Sequence, residues 1–188
     1  IKGGRTVHEY WPKFKSVAVN VSIDGLHDTY EYIRGNGKFA DVEHNIKEMK
    51  KISSVSRIVG AFTVQANNIL QIDKVIDYFL RDMEIVFYSH RVNYPRALSA
   101  QVLPEKLKQA VIVKLEAMKD KVKDYPIIQK HPVLEKITLR QIQDNINFLQ
   151  AKDLHQYWDD CVDFNRKLDE TRKQGPFEKI NPEFANYV

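Results

Sequence analysis

Residues 21–35 read VSIDGLHDTYEYIRG, a β-branched run that stops at Asp24-Gly25 and a short polar segment that closes on Arg34-Gly35. The run is part of Ser16–Ile23 (SVAVNVSI), short and rich in valine, which is the signature of a buried strand. Asp-Gly is a turn signal and ends it. The strand therefore carries Ser22 and Asp24 to its tip, and the chain returns an arginine twelve residues after the serine. A strand tip of that kind is where a parallel α/β sheet presents side chains to a ligand.

The elements around this stretch alternate. In KFADVEHNIKEMKK (38–51), Phe39, Val42, Ile46 and Met49 recur at helical spacing. Val55–Val64 (VSRIVGAFTV) reads as a second strand. Asn68 is placed to cap the helix NILQIDKVIDYFLRDM, in which Ile69, Ile72, Val75, Ile76, Phe79 and Leu80 make one apolar stripe. Glu84–Tyr88 (EIVFY) reads as a third strand. Strand, helix, strand, helix, strand predicts parallel strands joined by right-handed crossovers.

The second half reads as helix throughout. Pro104 is placed to open a helix running to about Lys123. Tyr125-Pro126 and His131-Pro132 interrupt it. Thr138 and Gln141 have capping-box spacing at the start of TLRQIQDNINFLQ, and Asp153 is placed to cap DLHQYWDDCVDFNRKLDETRK, which ends near Gly175-Pro176. The opening segment IKGGRTVHEYWPKF begins no obvious helix or strand.

Composition bounds the function. At 188 residues, with 43% hydrophobic and 29% charged residues, the chain suits one globular core, alone or with a helical appendage. No apolar run approaches the ~20 residues of a membrane span, and no secretory signal is present. The net charge is +4. Because the lysines alternate with acids, as in KLEAMKDKVKD, that stretch reads as a solvated helix face, and nucleic-acid binding would rest on charge alone. Cys161 is the single cysteine, so no intrachain disulfide forms and a reducing, cytoplasmic setting is expected. One thiol also cannot supply the three or four ligands of an iron–sulfur cluster.

Three strand ends are polar: Ser22 and Asp24; Thr63, Gln65 and Asn67; Tyr88, Ser89 and His90. Arg34 has the chemistry to hold a carboxylate bidentately, with Ser22 adding a hydroxyl donor. The plainer reading of Arg34 is a surface arginine beside the glycine turn GNG at 35–37. The six histidines form no metal-binding spacing, so no metal site is indicated. His27 and Asp28 read as loop neighbours, and adjacent residues on an extended segment diverge rather than form an acid–base pair. Asp159 and Asp163 share a helix face without a third oxygen ligand. Tyr78, Phe79, Tyr157, Trp158 and Phe164 read as core aromatics, and Cys161 as buried and inert.

VSIDGLHDTYEYIRG followed by FADVEHNIKEMKKI resembles the fourth strand and fourth helix of radical S-adenosylmethionine (radical SAM) enzymes, in particular phage-encoded proteins of the SPASM/twitch-related group. The shared pattern is a strand ending V-S-x-D-G, a segment closing on Y-x-R-G, and an F-x-x-V-x-x-N-I helix. YPRALSAQVLP and the ending LDETR…NPEF look like the same group, so the resemblance runs over most of the chain. It implies an α/β fold, a partial (β/α) barrel with about three parallel strands, followed by an α-helical extension, with the division at residues 1–100 and 101–188. It implies that Ser22 and Arg34 bind the methionyl part of S-adenosylmethionine, that Thr63 or Gln65 approaches the ribose, and that Tyr88–His90 lies near the adenine.

The chain departs from that family in one respect. The CxxxCxxC loop that binds the 4Fe–4S cluster is absent, as are the earliest strands, and IKGGRTVHEYWPKF looks like the region just after strand three. The resemblance thus implies the C-terminal part of a radical SAM enzyme, contributing the pocket wall and substrate side, with the cluster-bearing half upstream or on another chain. The isolated chain is then expected to be inactive as a radical enzyme. The alternative is a non-catalytic ligand-binding or protein-interaction module derived from that fold. A half-open sheet edge favours partner association or a homo-oligomer under either reading. The motifs select no substrate.

Overall fold

Three β-branched runs pair as the spacing predicts. Strands β1 (Val17–Ser22), β2 (Val55–Val64) and β3 (Val86–Arg91) form a parallel sheet in the order β1-β2-β3. The computed structural model describes residues 6–35 and 37–187, and the structural statements below concern those residues. The glycine turn at 35–37 includes Asn36, and the opening segment includes residues 1–5; both readings lie partly outside the described residues. Within the opening segment, Val7–Tyr10 forms a short helix, α1, with a reciprocal Thr6/Glu9 capping box that the sequence reading did not anticipate.

Between β1 and β2 the chain makes two helices, α2 (His27–Arg34) and α3 (Phe39–Met49). The first corrects an expectation, because His27 and Asp28 do not sit in a loop but begin a helix. Its stabilisation is tertiary. Tyr30 and Tyr32 are buried, and the rings of His27 and Tyr30 both meet Phe39 edge-on. Gly25 lets the chain turn that tightly, since a Cβ there would lie 2.7 Å from Thr29 Cγ2.

The predicted stripe between β2 and β3 is the centre of the core. It comprises a turn at Ile69–Gln71, α4 (Ile72–Asp77) and a widened turn at Tyr78–Asp82, and Ile69, Ile72, Val75, Ile76 and Phe79 are inaccessible to solvent. Asn68 does not cap this segment through its side chain, which is engaged elsewhere. The third strand begins at Val86, two residues later than expected, because Glu84 takes a left-handed backbone conformation (φ 40°).

The second half is helical as read, with α5 (Glu105–Lys119), α6 (Pro126–Lys130), α7 (Val133–Ala151) and α8 (Trp158–Arg172). Two starts differ from expectation. α7 begins after Pro132, so Thr138 and Gln141 lie inside it rather than at its cap. Asp153 accepts from the His155 backbone and pairs with Lys108, and α8 starts only at Trp158, after a single turn at His155–Tyr157. One cluster of buried side chains runs from Ile23 through Phe62 and Phe87 to Val111, Ile142, Trp158 and Phe184.

The sheet is covered on one side only. Ile58, Gly60, Phe62 and Val64 of β2 and Phe87 and Ser89 of β3 are buried beneath the helices. The residues alternating with them, Ala18, Asn20 and Ser22 on β1 and Tyr88 and His90 on β3, are exposed. Parallel sheets normally have both faces covered. The outer edge of β3 is covered by α7, where Gln141 Oε1 accepts from Ser89 N and Ser89 Oγ, both at 2.9 Å. β1 has no second strand partner among the described residues.

On the covered face Phe79 packs directly over Gly60, where an added Cβ would come within 2.4 Å of the ring. Gly60→Ala is therefore expected to destabilise the fold by about 1–3 kcal/mol. Combined with Phe79→Leu, the two losses should sum to less than the separate effects. Urea unfolding of the four proteins of that cycle checks both statements.

Candidate functional site

Asp24 organises the carboxyl ends of β1 and β2. It is 5% exposed, far below the usual exposure of an aspartate, so its charge must be met. One carboxylate oxygen, Oδ1, accepts from the backbone N–H of Thr63 at 3.0 Å. The other, Oδ2, receives Arg34 Nη2 at 2.6 Å. The arginine is thus held against the strand tip rather than lying free beside the glycine turn, with its side chain 38% exposed.

Asn68 closes the clasp from below. Its amide donates to the carbonyls of Asp24 (3.0 Å) and Thr63 (2.8 Å), and its oxygen accepts from Gln65 N (2.9 Å). One buried side chain therefore ties the end of β1 to the bend that follows β2.

The helix that carries Arg34 is fixed by the C-terminal part of the chain. Arg172 of α8 donates to the carbonyls of Tyr32 (3.0 Å) and Ile33 (3.3 Å) at the end of α2. Tyr32 Oη donates to Asn165 Oδ1 at 3.3 Å, and Asn67 Nδ2 donates to the same oxygen at 2.7 Å. Burial, followed by the neighbouring Asp169, pushes the Tyr32 phenol well above its ordinary range, so it remains a neutral donor. Asn181 Nδ2 then donates to Asn67 O at 2.7 Å. In the sequence these residues after position 160 read as helix, core and part of the LDETR…NPEF resemblance, none of which assigns them a partner. No local signal in the sequence connects Asn165 or Arg172 to a segment more than 130 residues away.

The predicted site residues divide into two groups. Ser22 and Thr63 lie on the bare face at the carboxyl ends of their strands, where Ser22 is in register with Ala61 and Tyr88, and Thr63 with His90. The side chains of Ser22 and Thr63 make no hydrogen bond to a described residue, and both hydroxyls are available to a ligand. The rings of Tyr88 and His90 meet edge-on at 4.7 Å and extend the same polar rim across β3. Gln65 lies just beyond β2 in the bend stitched by Asn68. Arg34 is joined to this rim through Asp24 and Thr63. Arg91, next to His90 but alternating with it and so not part of this rim, has a buried Nη1 with no hydrogen-bond partner among the described residues, a group that no signal in the sequence marks.

The donor set suits a ligand bearing hydroxyl or carboxylate groups and does not suit a metal cluster. No group of three or more His, Cys, Asp or Glu side chains converges among the described residues. Cys161 is buried in α8, and burial pushes its thiol up to about 12, so it does not fit as a cluster ligand. No helix among the described residues is long and apolar enough to cross a membrane. No family model, curated protein or solved structure matches the chain.

Three outcomes are expected. Asp24→Ala removes the partner of both Arg34 and Thr63 N and should cost about 2–4 kcal/mol in urea unfolding. Arg34→Ala leaves the buried Asp24 carboxylate without its counter-charge and should cost at least as much, about 3 kcal/mol. Cys161 should resist iodoacetamide at about pH 8 in the native protein and react at once in denaturant, as mass spectrometry would record.

Proposed function

We propose that the bare face of the sheet is one wall of a cavity for S-adenosylmethionine, and that the chain forms part of a radical SAM protein whose 4Fe–4S cluster is held by another segment or chain. The observation that carries this reading is the placement of two unpartnered hydroxyls, Ser22 and Thr63, at adjacent carboxyl-terminal strand ends of an uncovered parallel sheet. Arg34 stands beside them, anchored by Asp24. A carboxylate-bearing ligand would take hydroxyl hydrogen bonds from Ser22 and a charge-assisted one from the exposed side of Arg34. Thr63 or Gln65 would face the ribose, and Tyr88 and His90 offer ring surface to a base.

The residues present do not fit the cluster, so no redox step is assigned to this chain. Its role under this reading is to bind and orient. The sheet supplies fixed donors, the clasp keeps the β1 and β2 tips in register, and the open face is closed by whatever bears the cluster. A partial barrel follows from the same reading, since a parallel sheet covered on its outer side alone has the layout of barrel staves.

A second reading has its own support. Arg34 already has a carboxylate partner, and β1 presents an edge unpaired among the described residues, a combination that favours a protein-interaction module built on the same sheet.

Titration calorimetry of the chain with S-adenosylmethionine separates the two. The first reading predicts saturable binding that Ser22→Ala and Thr63→Val each weaken about tenfold, since each removes one ligand hydrogen bond. Absence of binding, or binding that neither variant alters, would remove S-adenosylmethionine from the account and leave the interaction module.

A further inference from the structure

At the opposite end of the sheet, where β2 and β3 begin, a cavity of about 350 Å³ lies between the strands and the start of α7. Its floor is aliphatic and buried, formed by Ile58, Ile85 and Ile127. Its mouth carries basic side chains. Arg57 on β2 and His131 before α7 are exposed, and neither side chain has a hydrogen-bond or ion-pair partner among the described residues. Lys50 reaches the same space while donating to the Met83 carbonyl, and burial holds its ammonium below the ordinary lysine range. The one carboxylate at the rim, Glu84, is tied to Lys130, and its backbone is left-handed. Non-glycine residues in that conformation cost free energy and cluster at ligand sites.

We infer that this cavity is a binding site for an amphiphilic monocarboxylate, with the hydrocarbon part on the Ile58–Ile85–Ile127 floor and the carboxylate on Arg57. An exposed arginine without a partner, lining an apolar cavity of ligand size, matches a planar anionic head on an apolar body. Glu84 disfavours a phosphate dianion, because its own charge stays within the site. The cavity lies at the amino-terminal strand ends, away from Ser22 and Thr63, and so does not depend on the proposed S-adenosylmethionine wall.

Decanoate is the probe, titrated calorimetrically into the full chain. Saturable 1:1 binding is expected. Arg57→Gln, at an exposed strand position, should weaken it by about tenfold or more, and decanol, with the same tail and no charge, should bind the unaltered chain more weakly by a similar factor. Val133→Asp, an exposed change at the mouth on the first turn of α7, should also weaken decanoate and leave the circular dichroism unchanged. Absence of decanoate binding overturns the proposal. So does equal affinity for decanoate and decanol, or for the unaltered chain and Arg57→Gln, which would mark an apolar hole without anion recognition. Amide shifts in an NMR titration that cluster at Ser22 and Tyr88 rather than at Arg57, Ile85 and His131 would overturn it as well.

Discussion

A carboxylate buried at a strand tip must be satisfied, and much of the site's architecture follows from how Asp24 achieves this. It takes a backbone N–H from the neighbouring strand and a guanidinium from the helix that follows its own strand. A buried ion pair contributes little net stability, because the Coulombic attraction roughly offsets desolvation. What it supplies is definition. With Asp24 buried, Arg34 has one place to be, and Thr63 is held in register with the end of β1. Asn68 reinforces the same junction with three hydrogen bonds.

The C-terminal helices extend this constraint rather than standing apart from it. Arg172 satisfies the last carbonyls of α2, and Asn165 bridges Tyr32 and Asn67. The arginine that meets Asp24 thus sits on a helix whose far side is bonded to α8. Coupling of that kind makes the polar rim rigid, and a preorganised rim loses less on binding a ligand. The bare face above it is the counterpart: the molecule covers one side of the sheet with a dense aliphatic and aromatic core and leaves the other to Asn20, Ser22, Tyr88 and His90.

Much of the fold was legible because burial selects strongly for residue type. The three β-branched runs could only be strands, and the stripe from Ile69 to Leu80 could only be a helical segment packed on them. What escaped is the part that depends on distant partners. The segment after Gly25 is short and polar, and it is helical because Tyr30 and Tyr32 are buried by Phe39 and α8. Thr138 and Gln141 matched a capping pattern by spacing alone, while Pro132 starts the helix and Gln141 serves the β3 edge instead. At the site, the strand tip pointed to Ser22 and Thr63, but the partner of Arg34 did not follow from the sequence. Asp24 and Arg34 lie ten residues apart, and only the α2 turn brings them within 2.6 Å. The half-buried Arg91 and the Arg57 cavity carry no motif.

The central claim is that the uncovered face of the sheet is a ligand wall set by the Asp24 clasp. An amide chemical-shift map of the chain titrated with S-adenosylhomocysteine, the non-reactive relative of the proposed ligand, tests it most directly. The account predicts shifts confined to Asn20, Ser22, Ala61, Thr63, Tyr88 and His90, with Arg34 and Gln65 beside them, and none along α5 or α6. Shifts centred on another surface, or no shifts at all, would contradict it.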